Sequence, residues 1–200
     1  MTKQLYLEDS YLKEFEATVV KAEDCKIVLD KTAFYPESGG QLTDKGKLIK
    51  NSEEFDVNMV KKQGAEIIHI VAKEGLREGD KITGIIDWKR RYKFMRYHTA
   101  CHVLSAVVHK KTGAKITGNQ IKEDEARIDF NLEVFDREKL KEYEAKANDV
   151  IAKKLPVTLS FLPREEAFKI PSLVKLKMVL PESIKIIRIV NIEGFDQQAC

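Results

Sequence analysis

Cysteine is scarce in this chain of 200 residues: Cys25, Cys101 and Cys200 stand far apart and are odd in number, which excludes a disulfide framework and leaves reduced thiols, free or metal-bound. Nor does one sign of charge prevail. Lys plus Arg is 35 against 32 for Asp plus Glu, a net charge of +3, so any polyanionic partner must be argued from local clusters. No apolar run approaches the roughly 18 residues of a membrane span, and the opening MTKQLYLEDSY carries no signal-like apolar stretch, so the expectation is a cytoplasmic protein with no membrane partner. Internal repeats and low-complexity segments are also lacking, and no obligate protein partner is evident.

What is present is enough hydrophobic content, 43%, to bury a core in one domain or two small ones. From about residue 16 to 87, six short β-rich runs (EATVV, KIVLD, GKLIK, FDVNMV, EIIHIVA and KITGIID) are broken by turn residues, among them Gly64, Gly75 and Gly79. Their spacing predicts a small antiparallel β-barrel or sandwich, with Glu23 and Asp24 at its first hairpin. The pattern changes at Trp88. Residues 88–112 contain no Gly or Pro and carry Phe94, Tyr97, Cys101, Leu104 and Val108 at helical spacing, with Gly113 placed to end the helix. ARIDF then alternates like a strand, and Asp136 can cap a helix with Leu140, Tyr143, Ala147, Val150 and Ile151 on its apolar face. Pro156 stops that helix. VTLSFL and IKIIRIVNI read as strands flanking a short helical piece, REEAFK, after Pro163. The fold class is α+β, divided into a β-barrel domain (1–87) and a second, α+β domain (88–200).

Within the long helix, RYHTACH sets His98 and His102 four residues apart, so both imidazoles leave one face about one turn from each other. That suits one metal ion, and Cys200 is the candidate for a thiolate ligand. The same pair also fits a merely polar helix face. His109 stands close to the helix end, where a cation meets the carboxyl-end dipole; His69 reads as a half-buried strand residue; Cys101 and Cys25 read as packing or inert thiols. The residue after His98 is Thr99, so no carboxylate supplies the base of an HExxH peptidase. WKRRYKFMR packs Lys89, Arg90, Arg91, Lys93 and Arg96 among three aromatics, a composition that fits phosphate contact and base stacking or, equally, a solvated helix face. A second basic stretch, Lys169 to Arg188, holds five cations against Glu182.

The run HTACHVLSAVV, followed about a hundred residues later by GFDQQAC, resembles the two halves of the metal motif of alanyl-tRNA editing proteins (AlaX) and of the editing domain of alanyl-tRNA synthetase. LDKTAFYPESGGQLTDKG is similar to that family's glycine-rich signature, and IIDWKRRYKFMRYHTACH to its entry into the editing domain; the whole resembles the medium-length AlaX type. The resemblance implies a zinc-binding editing domain over 88–200, with one zinc ion held by His98, His102 and Cys200. It implies a hydrolase that deacylates alanine tRNA mischarged with serine or glycine, in trans. Thr32 matches the position taken to contact a serine hydroxyl; Gly39, Gly40 and Gln41 would bring backbone close to substrate or RNA, or form a tight turn; Arg90, Arg91, Lys93 and Arg96 would contact tRNA. The family pattern continues as CxxxH, placing a fourth ligand beyond Cys200. Three ligands alone would leave a position for water, and a sequence cut short of the motif accounts for the difference more simply. Near Ile116 an aliphatic residue stands where synthetase editing domains often show glutamine. Two alternatives remain open: a metal-independent tRNA-binding module on this fold, and an editing hydrolase for another tRNA.

Overall fold

The computed structural model describes residues 1–134, 136–170, 173, 175 and 184–200. The chain is mixed α+β and divides into two compact units: residues 1–95 with 121–125, and residues 96–120 with 126–200.

In the first unit, β1 (Lys3–Gln4), α1 (Leu5–Glu8), β2 (Glu14–Glu23), β3 (Lys26–Leu29), β4 (Lys31–Thr32), β5 (Gly46–Lys50), β6 (Glu53–Gln63), β7 (Glu66–Val71) and β8 (Lys81–Ile86) follow in order. All six β-rich runs of the sequence are strands, and they close into an antiparallel barrel in the order β2-β3-β7-β6-β5-β8. Asp24, at φ 50°, makes the expected first hairpin. Period-two alternation fills the interior: Phe15, Ala17 and Val19 from β2, Phe55, Val57 and Val60 from β6, and Ile67, His69 and Val71 from β7 are all buried. The change of phase between Val57 and Val60 coincides with a bulge at Val57/Met59. His69 is fully enclosed, against the half-buried position expected for it, because it shares the inward phase of Ile67 and Val71.

Helix α2 (Trp88–Thr112) has the predicted span, and Gly113 follows it at φ 71°, the left-handed C-terminal stop. Its buried face differs from the expected stripe. Phe94 and Val108 are buried, but Tyr97, Cys101 and Leu104 are only half-buried, while His102, Val103, Ser105, Ala106 and Val107 are covered. Polar residues that bond one another replace part of the apolar seam.

β9 (Ile116–Ile121) and β10 (Ala126–Phe130) pair as a two-stranded sheet. In the second unit, Asp136 caps α3 (Arg137–Ala152) by accepting from the Glu138 and Lys139 N–H groups. Tyr143, Ala147 and Val150 of α3 are buried against Val103, Val107 and Val108 of α2, but Leu140 and Ile151 at the edges of the expected face are exposed. β11 (Val157–Pro163), α4 (Arg164–Ala167), β12 (Ile186–Ile192) and β13 (Asp196–Ala199) complete the unit, the strands forming an antiparallel sheet β11-β12-β13. Part of the second basic stretch, including Lys177 and Glu182, lies outside the described residues.

One close approach pins the barrel. Gly84 of β8 stands opposite Phe15 of β2, and a Cβ on Gly84 would run into the Phe15 ring. Gly84→Ala is therefore expected to lower stability by about 1–3 kcal/mol through overpacking, read as a lower urea midpoint. An unchanged midpoint would show that the ring has room to move.

Candidate metal centre

Helix α2 delivers two imidazoles to one face of the second unit. The rings of His98 and His102 stack, 5.1 Å between centroids and 5° from parallel, as four-residue helical spacing allows. The facing strand supplies the thiol. β13 pairs with β12 in the register Val190↔Gln198 and Ile189↔Ala199, and the backbone N–H of Cys200 continues the ladder to the Arg188 carbonyl at 2.9 Å. Alternation along this strand puts Asp196, Gln198 and Cys200 on one side. Cys200 Sγ comes to 3.4 Å from His98 Nε2, and the donor atoms of His98, His102 and Cys200 all lie within 4.8 Å of one another.

The electrostatics of this cluster follow from burial and from Arg188. Burial, with the Arg188 charge adding to it, pushes the His98 pKa down to about 4, so this imidazole is neutral near pH 7. Burial opposes ionisation of the Cys200 thiol, yet the facing His102 ring and Arg188 outweigh it and hold the thiol below its usual range. Cys101, by contrast, has its thiol pushed up by burial alone.

The residues fit a zinc ion on an observation independent of the motif. His102 Nε2 is buried without a hydrogen-bond partner among the described residues. Its other ring nitrogen, Nδ1, lies 2.7 Å from Gln198 Oε1. An imidazole anchored through one nitrogen and bare at the other, beside a second imidazole and a thiol, is the donor set zinc takes at about 2.0–2.3 Å per bond.

The other residues singled out in the sequence lie elsewhere in the fold. His109 turns its Nδ1 to the Ala114 carbonyl, 2.9 Å away, at the end of α2. Thr32 closes β4 and is fully buried: its hydroxyl donates to His69 Nε2 at 2.8 Å and accepts from the Phe34 N–H at 3.1 Å, while His69 Nδ1 donates to the Ile27 carbonyl at 3.1 Å. Gly39 and Gly40, both at positive φ, are the central residues of a tight turn closed by paired bonds between Ser38 and Gln41. Gln41 is buried and bridges Ile121.

Of the basic residues on α2, Arg91 is enclosed. Its guanidinium grips the buried Asp44 carboxylate and donates to the carbonyls of Ser10 and Ala33. Arg90 pairs with Glu123 and lies over the Phe94 ring, Lys93 pairs with Asp124, and Arg96 is exposed. Lys93 and Asp124 are both open to water, so that pair is held loosely, whereas the Arg90 side chain is largely covered and also donates to the Thr43 carbonyl at 2.9 Å. Sequence reasoning missed Asp44, Lys175, Asp196 and Gln198. The last two sit in GFDQQAC at alternate positions with Cys200, a signal legible only once that segment is known to be a strand.

The chain is similar to several curated proteins along its full length. It is 52% identical to the alanyl-tRNA editing protein AlaX-M of Methanosarcina barkeri, a match covering all of this chain and 86% of that protein. The AlaX-M protein of Saccharolobus solfataricus is 46% identical over all of this chain and 85% of its own length. The alanine–tRNA ligase of Pyrococcus furiosus is 42% identical, this chain corresponding to 22% of it. Residues 5–90 match the family model described as tRNA synthetases class II (A).

The His69–Thr32 pair generates a pH dependence. Burial, only partly offset by the Ile27 carbonyl, lowers the His69 pKa to about 4, below the ordinary 6.5 of an unfolded chain. The unfolded state therefore binds the proton first as pH falls. The stability contributed by neutral His69 is complete above about pH 6.5 and is lost down to about pH 4, a change of about 3 kcal/mol. Urea unfolding across that window should show a weaker pH dependence for His69→Gln than for the parent; parallel curves would contradict the assignment.

Proposed function

The chain belongs to the AlaX-M family of alanyl-tRNA editing proteins, and from that premise we propose that it hydrolyses the ester joining serine or glycine to the terminal ribose of alanine tRNA, acting in trans on the mischarged molecule. The observation that supports a catalytic role over a purely RNA-binding one is the convergence of His98, His102 and Cys200 around a bare, buried imidazole nitrogen. Hydrolysis needs no redox partner and no second substrate beyond water. A carbon–oxygen bond forms from water to the acyl carbon, the acyl–ribose bond breaks, and the ribose oxygen leaves with a proton. His98, His102 and Cys200 would hold a zinc ion, which when bound would supply Lewis acidity at the ester. Direct attack by water is the proposed route, and Cys101, the half-buried cysteine between the histidines, has its thiol pushed up by burial.

Selection against correctly charged alanine cannot come from apolar fit alone, because a methyl-sized difference is worth only about 1–3 kcal/mol. Thr32 offers polar recognition of serine. Its hydrogen is directed at His69 and one lone pair takes the Phe34 N–H, so the remaining lone pair is the group proposed to meet a seryl hydroxyl, which must penetrate to this fully buried side chain. Alanine has no hydroxyl to donate. Gly39, Gly40 and Gln41 present backbone from a rigid turn to the same substrate or to the RNA. On α2, Arg90, Lys93 and Arg96 provide the phosphate contacts, the first two by exchanging exposed carboxylate partners for RNA phosphates. Arg91 adds no contact of its own, being committed to Asp44.

Deacylation of seryl-tRNA charged on alanine tRNA, with correctly charged alanyl-tRNA as control, tests this function. The parent is expected to hydrolyse the seryl ester selectively, while His102→Ala and chelator-treated parent lose about 100-fold or more in rate, equivalent to about 3 kcal/mol of transition-state stabilisation. Equal rates in all three proteins would remove zinc from the mechanism, and equal rates on both esters would remove the editing role.

A further inference from the structure

The imidazole of His102 is not held by a single neighbour. A run of buried polar groups leads from it into the second unit. Gln198, 4% exposed, offers Oε1 to His102 Nδ1 at 2.7 Å, and its Nε2 donates to Ser105 Oγ at 2.8 Å and to Asp196 Oδ2 at 3.1 Å. Ser105 Oγ in turn donates to the His102 carbonyl at 3.0 Å. Beyond Gln198, the Asp196 carboxylate is paired with the ammonium of Lys175, both side chains nearly inaccessible to water.

Proton inventory makes this run directional. A carboxylate paired with an ammonium offers only acceptors, and Asp196 takes the Lys175 Nζ on both of its oxygens. Gln198 must therefore turn its amide N–H₂ toward Asp196, which leaves its carbonyl oxygen for His102. A carbonyl cannot donate, so His102 must carry its proton on Nδ1. The Nε2 lone pair is then directed away from the network, toward Cys200 and His98. With the amide of Gln198 reversed, two acceptors would face each other at Asp196 and the constraint on His102 would vanish.

We propose that Lys175, Asp196 and Gln198 form a tautomer-setting relay, in which Gln198 is the positioning residue that fixes His102 as the Nδ1–H form and so presents Nε2 as a ligand. The relay deepens the proposed metal site and, in its effect on zinc affinity, rests on it. It gives a role to two residues of GFDQQAC besides the cysteine. Asp196 and Gln198 occupy alternate positions of β13 and Cys200 continues its ladder through the bond to the Arg188 carbonyl, so relay and thiol are delivered by the same register. Outer partners of this kind raise ligand basicity and restrict ring rotation.

The test compares the parent with Gln198→Met, which keeps side-chain length and removes the accepting oxygen, and with Asp196→Asn, which removes the pure acceptor that fixes which way the Gln198 amide faces. Two readouts are taken on the full chain: zinc affinity by competition with a chromophoric chelator, and the tautomer of His102 by nitrogen NMR of the metal-free protein at a pH where the ring is neutral. The expected result is the Nδ1–H tautomer in the parent and a mixture of tautomers in both variants, with zinc affinity lower by about 10- to 100-fold in Gln198→Met. Parent-like zinc affinity and tautomer in Gln198→Met would overturn the relay, as would an Nε2–H tautomer in the parent. Absence of zinc uptake by the parent would sink the metal site instead, and the NMR readout would still decide the relay.

Discussion

Burying an imidazole nitrogen with nothing to bond costs about 1–3 kcal/mol, and among the described residues the second unit does so at His102 Nε2. The neighbouring groups explain why that atom is bare. His102 is anchored through Nδ1, packed beside a parallel His98 ring and faced by the Cys200 thiol, so the open nitrogen belongs to a cluster whose donor atoms lie within 4.8 Å. Helical spacing brings the imidazoles together, and strand alternation brings the thiol. Had the cysteine sulfur stood far from the imidazole pair, no metal-dependent chemistry could be argued for this chain.

The first unit has a different polar interior. Its barrel encloses His69, bonded to Thr32, and the unit also buries an Arg91–Asp44 pair in which both side chains are almost wholly inaccessible. Removing one member of such a pair strands a buried charge and costs about 3–5 kcal/mol, so Arg91 is tied to folding whatever its neighbours on α2 do. Cations that look alike in a basic run thus have separate fates: Arg96 faces water, Arg90 and Lys93 pair with exposed carboxylates, and Arg91 is consumed inside. For an RNA-acting protein, this means the usable positive charge of α2 is smaller than a count of its basic residues suggests.

Much of this was legible in the amino-acid order. The six barrel strands announced themselves by β-branched runs between turn residues, and α2 by 25 residues without glycine or proline. The metal cluster was visible as HTACH and GFDQQAC together. Less legible were features that depend on partners far apart in the chain. Arg91 meets Asp44 across 47 residues, and His102 meets Gln198 across 96, so no local pattern reports either bond. The segment DQQA is a strand by virtue of pairing with β12, not by propensity, and without that assignment the shared face of Asp196, Gln198 and Cys200 could not be seen. His69 was misjudged as half-buried because both phases of EIIHIV are apolar, which hides which one points inward.

Convergence of one helix face and one strand face on a single ion is most directly examined by cobalt(II) titration of the metal-free protein. One equivalent per chain should bind and produce both the visible absorption of a tetrahedral site and a sulfur-to-cobalt charge-transfer band, the latter disappearing in Cys200→Ser. A spectrum without the sulfur band, or one left unchanged by Cys200→Ser, would contradict the placement of the thiol at the site.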